Sequence, residues 1–159
     1  MGRDRRGYLG VEVFKVKANG LLDSGAQKTV VGSDGFKLLQ AAGLILQRCR
    51  KYKFIRVANH GVAEIEGEII VPFTVKGITR VIRVLNVPRL NTPMILGIDF
   101  WRRFHLRPDF VEGTCEIGSV VTTPISVADD GRVLNENQKS SSKSWKNFAR
   151  SWKKKSLDV

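Results

Sequence analysis

Between residues 65 and 75 the apolar side chains Ile65, Ile69, Val71, Phe73 and Val75 keep to odd positions, with Ile70 out of register. A period of two sends them to one face of an extended strand, whereas the 3.6-residue period of a helix would scatter them. The segment is therefore a strand, and its neighbours follow the same rule. In residues 11–17, Val11, Val13, Phe14 and Val16 stand against Glu12, Lys15 and Lys17. That is a strand pattern, which Asn19-Gly20 is expected to close as a hairpin turn returning through Leu21-Leu22. Residues 53–58 read as extended and Asn59-His60-Gly61 as a turn, so with the odd-position run they predict a long hairpin with a glycine at its tip. Pro72 has no N–H for a ladder and marks that arm as an edge strand. Lys76-Gly77 turns the chain again, and residues 81–87 form a strand stopped by Pro88.

Elsewhere the elements are short. Thr29-Val30-Val31 reads as a strand, residues 32–35 as a turn, and residues 36–42 as a helix ended by Gly43. Met94-Ile95-Leu96-Gly97 is a buried apolar strand. Residues 98–104 have helical spacing, with Asp99 at the start, where the helix dipole favours a negative charge. Residues 109–112 and 115–118 form a last strand pair about Gly113. The compact part, residues 8–118, is thus mainly β with one or two short helices. Glu64, Glu66 and Glu68 read as the wet face of a strand. Residues 119–138, rich in Thr, Pro, Ser, Asp and Gly, read as linker.

Residues 139–159 hold seven bases against one acid, half of the formal net charge of +12. Trp145, Phe148 and Trp152 would line one side of a helix there, a stripe suited to weak RNA binding or an anionic surface. The serine-rich flank and the short length read more simply as a disordered basic linker or a marginal helix. At 159 residues the chain amounts to one domain. No apolar run approaches membrane-span length, no secretory apolar region follows the N-terminal bases, and Arg6 occupies the position where a myristoylation signal needs Ser or Thr. No membrane partner is expected. Cys49 and Cys115 are far apart and lack metal-ligand spacing, so neither a zinc site nor a disulfide framework is indicated, a pattern that fits a reducing, intracellular compartment.

The remaining feature is Leu21-Leu22-Asp23-Ser24-Gly25-Ala26, a carboxylate at the end of a strand. Asp-Ser-Gly alone is common in turns. Here it is followed in order by Val57-Ala58-Asn59-His60-Gly61 with IEGEI after it, by Ile95-Leu96-Gly97 leading into IDFW, and by a short terminal strand pair. In this order, and over residues 8–118, the chain resembles the retropepsin-like aspartic proteases, particularly those of gypsy-type LTR retrotransposons. The resemblance implies a closed acid-protease barrel with one lobe per chain and a homodimer. It makes Asp23 the catalytic residue, supported by Ser24, Gly25 and Ala26. Ala58, Asn59, His60 and Gly61 would form a flap over the substrate, and Ile95, Leu96 and Gly97 would lie beneath the catalytic loop. No cofactor or metal is implied. The substrate would be polypeptide, namely segments of a retroelement Gag-Pol-like polyprotein, cut in a cytoplasmic particle.

The chemistry explains the residue types. Hydrolysis of a peptide by water needs one group to accept a proton and another to give one. Two close carboxylates sharing a proton do both, and aspartic proteases are the standing example. The DSG element occurs once, so the second Asp must come from a second chain, and a dyad holding one proton suits acidic to near-neutral pH. Two positions depart from the retroviral pattern: Gln27 and Ile98 stand where those members carry an Asp and an Arg, and Lys28 with Asp99 is the candidate substitute pair. Ser24 has no nucleophile elbow around it, and His60 reads as a solvated tip residue. The rival reading is a catalytically inactive dimeric module of the same fold, with a nucleic-acid-binding tail.

Overall fold

A computed structural model of the chain describes residues 5–48, 53–57, 61–119 and 121–129. Among the described residues, twelve strands and two helices follow in the order β1 (Arg5–Val13), β2 (Val16–Leu22), β3 (Val30–Val31), α1 (Ser33–Ala41), β4 (Phe54–Val57), β5 (Gly61–Glu64), β6 (Glu68–Val75), β7 (Ile78–Asn86), β8 (Met94–Leu96), α2 (Ile98–Phe104), β9 (Leu106–Asp109), β10 (Thr114–Ile117), β11 (Val121–Pro124) and β12 (Ser126–Asp129). The main sheet runs β12-β1-β2-β8-β3-β7-β6, and β6 returns to β1 at Glu12 and Thr74. That contact closes β1, β2, β8, β3, β7 and β6 into a barrel. Pro72 lies in β6, whose ladder to β1 is the single pair Glu12–Thr74, so the strand stays close to an edge and tolerates a missing N–H.

The odd-position run behaves as its period requires. Ile69, Val71, Phe73 and Val75 are buried in the barrel core with Leu9, Val11, Val13, Leu22 and Leu96. Phe100 of α2 completes this core, edge-on to Phe73 with ring centroids 5.2 Å apart and stacked on Phe104 at 4.5 Å. A separate apolar cluster of Val30, Ala63, Ile65, Leu85 and Val87, with Ile55, Leu90 and Ile95 partly buried against it, lies under the β4–β5 hairpin.

The first hairpin turns elsewhere than Asn19-Gly20. Val13 pairs with Val16, so Phe14 and Lys15 make the two-residue connection with φ of 47° and 70°. Asn19 and Gly20 lie inside β2, opposite Gly10 and Leu9. Register decides this. A turn at Asn19-Gly20 would place Lys17 across from Leu22 and bring the charge toward the core, whereas the observed register sets Leu9, Val11 and Val13 against Gly20, Ala18 and Val16. Gly20 serves packing instead, since a Cβ there would stand 2.5 Å from Leu96 Cγ. Because two L-residues hold left-handed backbone at the tip, replacing Phe14-Lys15 by Asn-Gly is expected to stabilise the chain by about 0.5–1 kcal/mol. Denaturant unfolding checks this, and a lower midpoint would contradict it.

Five further expectations are corrected. The predicted long hairpin is cut at Gly67, whose φ of 130° breaks the strand and whose missing Cβ would meet the Gln47 carbonyl oxygen at 2.6 Å. The β4–β5 hairpin is therefore a two-stranded sheet apart from β6. Glu68 is not on a wet face: it is buried at the start of β6 and pairs with Arg83 at 3.5 Å. Residues 121–129 are not linker, for β11 adds to β10 and β12 to β1. Their β-branched residues and Ile125, which is buried in the core, drive this pairing. The helix read as 36–42 begins earlier, because residues 33–35 supply its first turn. The last strand pair also starts earlier, at Leu106 and Thr114, and Asp109 Oδ1 caps the turn by accepting from the N–H groups of Val111 and Glu112 at 3.0 Å. Residues 130–159, including the basic tail, lie outside the described residues.

Cys115 of β10 is fully buried. Burial pushes its thiol from 9.0 up to about 11. Below about pH 9 the thiol is protonated folded or unfolded. Between 9 and 11 only the unfolded chain ionises it, so the contribution to stability falls as pH rises through that window. In a Cys49→Ser background, Cys115 should resist thiol reagents at pH 8 until denaturant is added. Stoichiometric labelling of the native chain would refute this.

Candidate active site

Asp23 follows the last residue of β2. There β8 runs parallel to β2, with Leu21 opposite Ile95 and Leu22 opposite Leu96, and antiparallel to β3, with Val30 opposite Ile95. The loop from Asp23 to Thr29 therefore joins two strands that flank β8 and passes around its C-terminal end. Both leucines before Asp23 are buried, Leu22 in the barrel core. The carboxylate is half-buried, and Ser24 and Gly25 are exposed.

Backbone bonds lace this loop to the β8–α2 segment. The Asp23 N–H donates to the Leu96 carbonyl at 3.2 Å, and the Ala26 N–H to the Asp23 carbonyl at 3.2 Å. Ile98 N–H donates to the Ala26 carbonyl at 2.8 Å and Asp99 N–H to the Gln27 carbonyl at 3.3 Å. Asp23 Oδ1 accepts the Gly25 N–H at 2.9 Å, which orients the carboxyl plane. Gly97 fits so tightly that a Cβ would stand 2.5 Å from the carbonyl carbon and oxygen of Lys28 and 2.9 Å from the Ala26 oxygen.

Three residues at this site make contacts that no sequence pattern assigns to them. Thr29 is fully buried; its hydroxyl accepts the Gly97 N–H at 3.2 Å and donates to Asp99 Oδ1 at 2.7 Å. Asp99 Oδ1 also accepts the Phe100 N–H at 2.8 Å, so this carboxylate is engaged beneath the loop while serving the start of α2. Trp101 donates its indole N–H to the Leu96 carbonyl at 2.9 Å. A buried Thr at a strand start carries no sequence signal for its contact, because Asp99 lies seventy positions away, whereas the Trp101 indole reaches back only five positions, from α2 to the last residue of β8.

The structure thus brings Asp23, Ser24, Gly25, Ala26, Ile95, Leu96 and Gly97 together. Of the predicted flap, Gly61 opens β5 with a φ of 70°, while Ala58, Asn59 and His60 lie outside the described residues. The hairpin base packs beside the loop: Ile55, Ala63 and Ile65 share the second apolar cluster with Val30 and Ile95, which belong to the strand pair next to the Asp23 loop. Among the described residues no three His, Cys, Asp or Glu side chains converge to hold a metal ion, and no helix is long and apolar enough to cross a membrane.

Solved structures of similar backbone show the fold. The chain superposes on the retroviral protease-like domain of Ddi1 from Leishmania major with a TM-score of 0.58 and 16% identity, covering 80% of this chain and 98% of that one. The fold is retropepsin-like. EIAV protease in complex with the inhibitor HBY-793 superposes with a TM-score of 0.52 and 21% identity, covering 68% of this chain and 93% of that one. Neither a family model nor a curated protein matches the sequence. Within this retropepsin-like fold, the LLDSGA loop and the ILG strand are the two pieces that cross at Leu96.

Proposed function

We propose that the chain is an aspartic-type endopeptidase that works as a homodimer and hydrolyses extended polypeptides. The observation that carries the reading is the Asp23 carboxylate, half-buried at the end of β2 and oriented by the Gly25 N–H on a loop braced from below. One chain offers one such group. Two chains related by a two-fold axis bring a pair together, and like charges that close share a single proton. The ionised Asp23 of one subunit takes a proton from water as the water oxygen bonds to the peptide carbonyl carbon. The protonated Asp23 of the other gives its proton to the carbonyl oxygen. Collapse of the resulting diol breaks the C–N bond, with a proton passing to the leaving amine. Ser24 is proposed to hydrogen-bond across the two loops, and the β4–β5 hairpin to close on an extended substrate by main-chain bonding.

The substrate class proposed is segments of a retroelement polyprotein, cut inside the cell, with the basic tail as a weak RNA contact. The test is cleavage of a Gag-like peptide library at several pH values by the wild-type chain and by Asp23→Asn. Cleavage by the wild type alone, blocked by a pepstatin-type inhibitor and with specific activity rising with chain concentration, supports the reading. Equal cleavage by both, or none by either at concentrations where dimers form, overturns it and leaves the non-catalytic dimeric module.

A further inference from the structure

We infer that Trp101 is a positioning residue for Asp23, acting through the Leu96 carbonyl. That oxygen accepts two hydrogen bonds, from the Asp23 backbone N–H at 3.2 Å and from the Trp101 indole at 2.9 Å. The N–H at the other end of the same peptide unit, that of Gly97, donates to the Thr29 hydroxyl, which is itself held by Asp99. Two side chains of α2 therefore pin the Leu96–Gly97 peptide plane, Trp101 at the oxygen and Asp99 through Thr29 at the nitrogen.

Asp23 hangs from this plane by a bond at the long end of the ordinary range. The indole bond is the shorter of the two and comes from a ring packed against the barrel core, so it braces the carbonyl from a rigid support. Without that donor the plane is freer to rotate, and the Asp23 Cα moves with it. Small displacements of a catalytic group are costly because the reaction needs its atoms in line. A Trp is suited to this place because its apolar body packs while its one donor reaches a partner.

The kinetic part of the inference rests on the endopeptidase reading; the exchange part does not. Two full-length variants test it: Trp101→Phe, which removes donor and ring size, and benzothienylalanine at position 101, which keeps the bicyclic shape without the N–H. Loss of one ordinary hydrogen bond is expected to lower kcat about fivefold to tenfold in both, with KM within about twofold, and to speed amide exchange at Asp23 by a similar factor. A residue that only packs would lower the melting temperature and leave these unchanged. Wild-type kcat and Asp23 exchange in the benzothienyl variant would overturn the inference, whatever the Phe variant does. If the wild type itself cleaves nothing, the functional reading fails, and Asp23 exchange in the two variants still decides for or against Trp101.

Discussion

Replacing Asp23 by Asn should abolish peptide cleavage, with a loss of at least about 10⁴-fold in kcat. General acid–base catalysis by one positioned group contributes roughly 10²–10⁴-fold, and in a homodimer one substitution removes both the acid and the base. Asn keeps the size of the side chain and an oxygen that can accept the Gly25 N–H, so the loop, its bonds to β8 and the thermal midpoint should change little. The result to look for is an inactive protein of ordinary stability that still competes for dimers. Adding excess Asp23→Asn chain to the wild type should therefore suppress activity by trapping wild-type subunits in mixed dimers. Unchanged activity in such mixtures, at concentrations where subunits exchange, would show that one chain is sufficient.

The second large effect is expected from the smallest change, Gly97→Ala. The added Cβ would meet backbone rather than a movable side chain, 2.5 Å from the Lys28 carbonyl and 2.9 Å from the Ala26 oxygen. Either the loop or the end of β8 has to retreat. Forcing one methyl into a filled space costs about 1–3 kcal/mol, and a rigid backbone neighbour puts this site at the upper end. The loss should appear as a fall in melting temperature of about 10 °C or more. Activity should fall by about 100-fold even where the protein stays folded, because the retreat displaces the loop that carries Asp23. Full activity with a wild-type midpoint would mean that the close approach at Gly97 is not required.

The strands were legible where burial is one-sided and continuous. Val71 and Phe73 sit in the core as their spacing predicts, and Lys76-Gly77 turns where its residues favour a turn, with φ of 48° and 79°. The first hairpin departs from its local turn preference because a turn at Asn19-Gly20 would bury the Lys17 charge, and that cost outweighs the preference. The strands at 121–129 were missed because short polar, β-branched stretches have meaning only when a neighbour offers them an edge, as β10 and β1 do here. In the site, the order of LLDSGA and ILG was visible, whereas the Thr29–Asp99 bond was not, since neither residue belongs to a local pattern that implies the other.

The alternation that makes the chain a β protein and the placing of one carboxylate where a strand ends are both written locally in the residues. Both depend on residues within a few positions of one another, and the chemistry of each position is sufficient to read them. Long-range pairing alone wraps the Asp23 loop around the end of β8, so that a backbone N–H, an indole and a buried hydroxyl converge on the single peptide unit between Leu96 and Gly97. That convergence comes from a parallel pairing of strands far apart in the chain, and no local preference encodes which distant strand lies alongside.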